Sequence, residues 1–244
     1  MITSLTLSTA SRVLHQLRHD RRTIALILLV PCLLMGLVAW MFSDTPAVID
    51  QFGPLLLGVF PMFVMFLITS VATLRERQSG TLERLMTTPI RRADFVLGYG
   101  LAFAVLATLQ GLVLTGFAIW VCGMDARGDL WLIVTVAVLD AVLGCVLGLA
   151  ASALANTEFQ AVQMMPLFIL PQLLTGGLLM PRDQMPQVLE WFSRGMPLTY
   201  GTEALQDLAR GAELADVAGG IGAILAFIVA SLVLATATLR RRTP

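Results

Sequence analysis

Lysine is absent from the 244 residues, and all 16 basic side chains are arginine. A Walker A loop needs a lysine beside its Ser/Thr to reach nucleotide phosphates, so ATP bound in that way has to sit on another polypeptide. Histidine is almost absent, since His15 and His19 are the only two and both precede the first long apolar run. An intramembrane enzyme acting on lipid or peptide would want a buried nucleophile with a base, or a metal cluster, and no Ser/His pair can be placed at membrane depth. Cys32, Cys122 and Cys145 fall in or beside apolar runs without CxxC spacing; they form neither a zinc motif nor a disulfide framework and read as core residues. Charge is scarce as well, at 13% of residues against about 25% in an ordinary soluble domain. The net charge is zero, which leaves no global field to attract nucleic acid. Clear internal repeats and intramembrane charge pairs, which a secondary transporter would normally carry, are missing too; an ATP-independent carrier or scaffold stays open on that ground alone.

What is present is apolar: 57% of the chain is hydrophobic. About 20 apolar residues are needed to cross roughly 30 Å of hydrocarbon, and six runs approach that length, at 24–42, 54–74, 95–121, 131–155, 164–180 and 217–239. The fifth is the shortest and contains Pro166 and Pro171. The expected fold is all-α, with six transmembrane helices. Twelve arginines fall in the N-terminal segment, the second-to-third connection and the tail, against four in the opposite connections. Positive flanks stay inside, so both termini are expected to be cytoplasmic. The first run is long and lacks a clear small-residue cleavage site, so it reads as an uncleaved span. Ahead of it, in residues 1–23, Ala10, Val13, Leu14 and Leu17 recur at helical spacing. This describes an amphipathic helix on the inner membrane surface or, equally, a short helix packed on the protein. Residues 24–239 form one membrane domain, and 240–244 a basic cytoplasmic tail.

The cytoplasmic connection at 76–89 has the pattern of a short helix. Gly80 and Thr81 start it, Glu83 sits in the first turn where the helix dipole favours negative charge, and Pro89 stops it. Leu82, Leu85 and Met86 share one face. Such a helix can dock into a groove on another protein or rest on lipid.

The run Arg75-Glu76-Arg77-Gln78-Ser79-Gly80-Thr81-Leu82-Glu83-Arg84-Leu85-Met86-Thr87-Thr88-Pro89 resembles the segment after the second span in ABC-2 type, or type V, ATP-binding-cassette exporter permeases. Thr175-Gly176-Gly177, Pro181, Met185-Pro186 and Met196-Pro197-Leu198-Thr199-Tyr200 resemble that family's C-terminal region. The resemblance implies a permease without its own ATPase site, in a bacterial inner membrane. It implies pairing with a second permease, as homo- or heterodimer, and with two copies of a cytosolic subunit that binds ATP and magnesium. The segment from Glu76 to Pro89 would be the coupling helix, with Glu83 and Arg84 meeting charges on the ATPase, Leu82 and Leu85 filling its groove, and Gly80 and Thr81 setting the turn. Family members export drugs, antibiotics, lipids and polysaccharide precursors; a short chain points to drug, antibiotic or lipid-like amphipaths.

The last outward connection, 181–216, is too long for a plain turn. Met185, Val188, Leu189 and Phe192 follow helical spacing, as do Ala204, Leu205 and Leu208. The resemblance implies short re-entrant helices that close the exit, with Met185, Leu189, Phe192, Pro197 and Tyr200 as gate residues; a static cover is the alternative. Asp140 stands inside the fourth span with no evident partner; an ionisable group at that depth is a functional candidate, or is satisfied structurally by protonation, by a hydrogen bond to a neighbouring helix or by a position nearer the outer interface. Gln110, Gln163, Gln172 and Thr175 either bond helices together or face a path. Gly144 and Gly148 form a GxxxG pair suited to close helix contact.

Overall fold

The computed structural model describes residues 4–78, 92–177 and 182–238, and these are helical wherever they are regular. In chain order the helices are α1 (Ser4–His19), α2 (Arg21–Met41), α3 (Ala47–Gln78), α4 (Arg92–Trp120), α5 (Leu130–Leu154), α6 (Glu158–Thr175), a 3-10 turn (Arg182–Gln184), α7 (Gln187–Arg194), α8 (Pro197–Ala209) and α9 (Leu214–Thr238). Local chemistry explains the breaks. Asp20 separates α1 from α2 and caps the latter, accepting from Thr23 N at 3.2 Å and Thr23 Oγ1 at 2.6 Å. Thr157 caps α6 through Gln160 N at 3.2 Å, while the Gln160 side chain returns to Asn156 N at 2.8 Å, close to a capping box. Pro197 opens α8 at its first turn, and Gly211, at φ 101°, turns the chain out of it.

Among the described residues, five helices are long and apolar enough to cross a bilayer: α2, α3, α4, α5 and α9. The chain is thus an all-α, multi-pass membrane protein. At 32 residues, α3 is about 48 Å long, far more than the hydrocarbon core requires, and its last turns carry Arg75 and Arg77 out of the apolar zone. The expected span at 164–180 corresponds to α6, which is not among the five. It begins earlier, at Glu158, and takes in Gln160, Gln163 and Gln172 with Pro166 and Pro171, so it is more polar than α5, the span before it. Residues 178–180 lie outside the described residues.

The helix ends sort into two groups. At one end lie α1, the C-terminus of α3, the N-terminus of α4 and the turn from α5 to α6, tied by Arg75 to Glu158 at 2.7 Å, Gln78 to the Asn156 carbonyl at 2.7 Å, and Arg77 to the Ser152 carbonyl. At the other lie the start of α3, the 121–129 connection and α8: Asp50 accepts from Asp125 N at 2.8 Å, and Arg127 N donates to the Ala209 carbonyl at 3.1 Å. All four tryptophans, Trp40, Trp120, Trp131 and Trp191, are exposed at or near this second end. Amphipathic indoles favour a membrane–water interface.

The centre of the bundle is α5, buried against α3, α4, α8 and α9. The Gly144/Gly148 pair does bring helices close. A Cβ on Gly144 would run into the Met62 carbonyl, and one on Gly148 would stand 2.5 Å from the Phe66 carbonyl, so α3 and α5 meet backbone to backbone. Leucines 26, 29, 33 and 37 of α2 and Leu225, Val229 and Val233 of α9 point outward at helical spacing, as lipid-facing stripes do.

Candidate functional site

The arginine-rich end is built around α1. Thr6, Thr9, Ala10 and Val13 are buried, with Leu14 and Leu17 packed at the edge of the same cluster, so the helix is packed on the protein along α4. The contact is tight: a Cβ on Gly98 of α4 would stand 2.7 Å from Thr9. Thr6 Oγ1 donates to Asp94 at 2.9 Å. Arg12 donates to Glu76 at 2.7 Å and to the Tyr99 hydroxyl at 3.3 Å, and lies 6.0 Å from the Tyr99 ring centre. One N-terminal helix therefore holds both the last turn of α3 and the first turns of α4, the two arms that flank residues 79–91. Of the expected coupling residues, Glu76 is the described one. It lies within α3 and is turned toward Arg12. Gly80, Thr81, Leu82, Glu83, Arg84, Leu85 and Pro89 lie outside the described residues. Arg12, Tyr99, Thr6 and Asp94 were not legible as a cluster, because their sequence separations of 64 to 88 residues leave no local pattern.

The polar residues expected along a path act chiefly between or within helices. Gln110 Nε2 on α4 donates to the Ile27 carbonyl of α2 at 3.0 Å. Gln172 Oε1 on α6 accepts from Leu198 N at 3.2 Å, capping α8, while its amide nitrogen donates to the Phe168 carbonyl at 2.7 Å. Thr175 Oγ1 folds back onto the Pro171 carbonyl at 2.8 Å, and Thr202 Oγ1 reaches the Gly176 carbonyl at 2.8 Å. The C-terminal end of α6 and the first turns of α8, separate in sequence, are thus bonded to each other. Gln163, by contrast, is exposed on the outer face of α6.

Asp140 is fully buried. Its carboxylate lies between Gly58 of α3, where a Cβ would come within 2.8 Å of Oδ2, and Gly201 of α8, where a Cβ would overlap it. Neither oxygen has a hydrogen-bond partner among the described residues. Sequence alone found Asp140 but not the two glycines that make room for it.

The expected gate residues separate into two sets. Met185, Leu189 and Phe192 line an apolar groove of about 940 Å³ against Pro166, Leu167, Leu170, Pro171 and Leu174 of α6. Pro197 is buried at the start of α8, and the Tyr200 hydroxyl donates to the Arg194 carbonyl at 2.7 Å with its ring beside Phe227. The groove's lining includes one polar side chain, Thr175, whose hydroxyl is already bonded. It suits hydrocarbon.

Residues 4–209, from α1 to the end of α8, match the family described as ABC-2 type transporter. The chain belongs to the ABC-2 type transporter family. Among its relatives, ABC transporter G family member 20 of Dictyostelium discoideum is 31% identical over 141 residues, covering 58% of this chain and 19% of that protein. The probable multidrug ABC transporter permease YbhR of Escherichia coli K12 is 26% identical over 158 residues, 64% of this chain and 42% of the relative. The linearmycin resistance permease protein LnrN of Bacillus subtilis is 29% identical over 174 residues, 70% of this chain and 45% of the relative. The chain spans less than half the length of these three relatives. Within this ABC-2 chain, the family match covers both the α1 clamp and the α6–α8 junction, and α9 lies beyond it.

Proposed function

We propose that this chain is the membrane permease subunit of an ATP-driven exporter, and that ATP is bound and hydrolysed, with magnesium, on a separate cytosolic subunit present in two copies. A second permease, identical or related, completes the path. The arginine-rich end faces the cytoplasm, α6 supplies a sixth crossing, and both termini are cytoplasmic, in a bacterial inner membrane.

The observation that carries the reading is the clamp of α1 on both arms of residues 79–91. A segment that relays motion from a soluble motor has to be anchored rigidly on the membrane side, and Arg12 to Glu76 with Thr6 to Asp94 supplies that anchorage. Residues 76–89 are the coupling segment: Glu83 and Arg84 present charge, and Leu82 and Leu85 an apolar knob, to the ATPase. Cargo is an amphipath of the drug, antibiotic or lipid-like kind. The names of the Escherichia coli and Bacillus subtilis relatives support this class, as does the hydrocarbon lining of the α6–α7 groove.

The test is reconstitution. The permease, co-purified with its ATP-binding subunit in lipid nanodiscs, should show ATP hydrolysis that rises on titration with amphipathic compounds and is indifferent to small hydrophilic solutes of similar mass. Hydrolysis unresponsive to every amphipath tried would overturn the substrate class.

A further inference from the structure

Between the groove and the bundle, one side chain joins three elements. Arg182, in the 3-10 turn, donates to both carboxylate oxygens of Glu203 on α8, at 3.0 and 3.1 Å, and to Ser193 Oγ on α7 at 3.0 Å. Its guanidinium also lies 5.4 Å from the centre of the Tyr200 ring. Ser193 is fully buried and donates in turn to the Glu190 carbonyl at 2.7 Å.

The two helices that Arg182 joins are held very differently. Leu198, Thr199, Leu205 and Leu208 of α8 are completely buried, and the helix is capped by Gln172 and bonded through Thr202 to Gly176. It is part of the core formed with α3, α5 and α9. On α7, Ser193 is the buried residue, while Val188, Leu189, Trp191 and Phe192 are exposed. The attachments from α7 to α8 are polar: the Arg182 fork, and the Tyr200 hydroxyl on the Arg194 carbonyl. A helix with so little buried apolar surface belongs to the low-stability end of a structure. Apart from its apolar contact with α6 across the groove, its position on α8 is set by those few bonds.

The geometry points to Arg182 as a positioning residue: it makes α7, the outer wall of the hydrocarbon groove, follow α8 as a unit. When α8 shifts with the bundle, the guanidinium carries α7 with it and changes the width of the groove against α6. When the fork is cut, α7 loosens and the bundle stays. The first half rests on the exporter reading, and the second does not. Arginine suits the task because its planar fork reaches a carboxylate and a hydroxyl at once, which lysine cannot reproduce.

Hydrogen–deuterium exchange on the permease alone in nanodiscs tests the latch without an ATPase. In Arg182→Ala, backbone amides of 187–194 should exchange roughly fivefold faster or more, with those of 198–208 unchanged. Arg182→Lys should restore part of the protection, and the charge-reversed pair Arg182→Glu with Glu203→Arg more of it than either single change. Unaltered α7 exchange in Arg182→Ala, or α7 and α8 loosening together, would overturn the proposal. With the ATPase bound, nucleotide-dependent changes at α7 should vanish in Arg182→Ala while those at α8 persist. Persistence at α7 would overturn the transmission role, whereas failure to bind any ATPase would count against the exporter reading alone.

Discussion

The carboxylate of Asp140 on α5 lies against the Cα of Gly201 on α8, with no space between them for a single added carbon. Gly201→Ala should therefore destabilise the protein by about 1–3 kcal/mol, the range for overpacking a tight interior. Asp140→Ala should restore part of that loss by removing the group struck. Thermal unfolding in detergent of both single variants and the double checks this: the double should be more stable than the sum of the singles allows.

The same reasoning separates glycines by their surroundings. Gly144→Ala drives a methyl into the Met62 carbonyl, and backbone cannot swing aside as a side chain can, so about 2 kcal/mol or more is expected to be lost. Gly219 and Gly222 on α9 have open space where a Cβ would go. Alanine there should be neutral, or stabilising by about 0.4–1 kcal/mol. Melting temperatures of the three variants give the order directly.

Arg12 and Glu76 are partly buried, with side-chain exposures of 30% and 16%. Arg12→Ala and Glu76→Ala should each cost about 1 kcal/mol, and the double variant little more than one single. A double-mutant cycle by detergent or urea unfolding measures the coupling.

Burial lifts the Glu203 carboxyl above the ordinary glutamate range; Arg182 opposes this but does not cancel it, and Asp207 adds to it. A native state that keeps a proton which the unfolded chain has released loses stability as pH rises between the two pKa values. Relative to Glu203→Gln, the wild-type protein should therefore lose stability as pH climbs from about 4.3, the usual glutamate value, through the raised one. Melting curves of both proteins across mildly acidic pH check the sign, and a wild type that gains on Glu203→Gln over that window would refute it.

The membrane helices were legible because their signal is local: long apolar runs, and arginines at their flanks. The glycine pair Gly144/Gly148 was legible for the same reason, since its spacing on one helix face already states that something must come close. The weaker run at 164–180 yielded α6, shifted toward Glu158, because the Thr157 cap is stronger than hydropathy at fixing a helix start. Most of the tryptophan belt was there to be read from three residues at run ends, Trp40, Trp120 and Trp131. The α1 clamp and the Arg182 latch were not, because each joins side chains from elements whose packing no periodicity encodes. Asp140 stood out by charge, yet its surroundings are made of glycines, which are silent in a sequence until the neighbouring helix is placed.

We propose that residues 76–89 couple this chain to an ATPase. The direct measurement is co-purification of the chain with its ATP-binding subunit, wild type against Glu83→Ala with Arg84→Ala. Recovery of the wild-type complex, and its weakening in the double variant while the permease stays folded, is the expected result. A wild-type permease that never retains an ATPase, or a double variant that binds it and couples hydrolysis to transport as well as wild type, would contradict it.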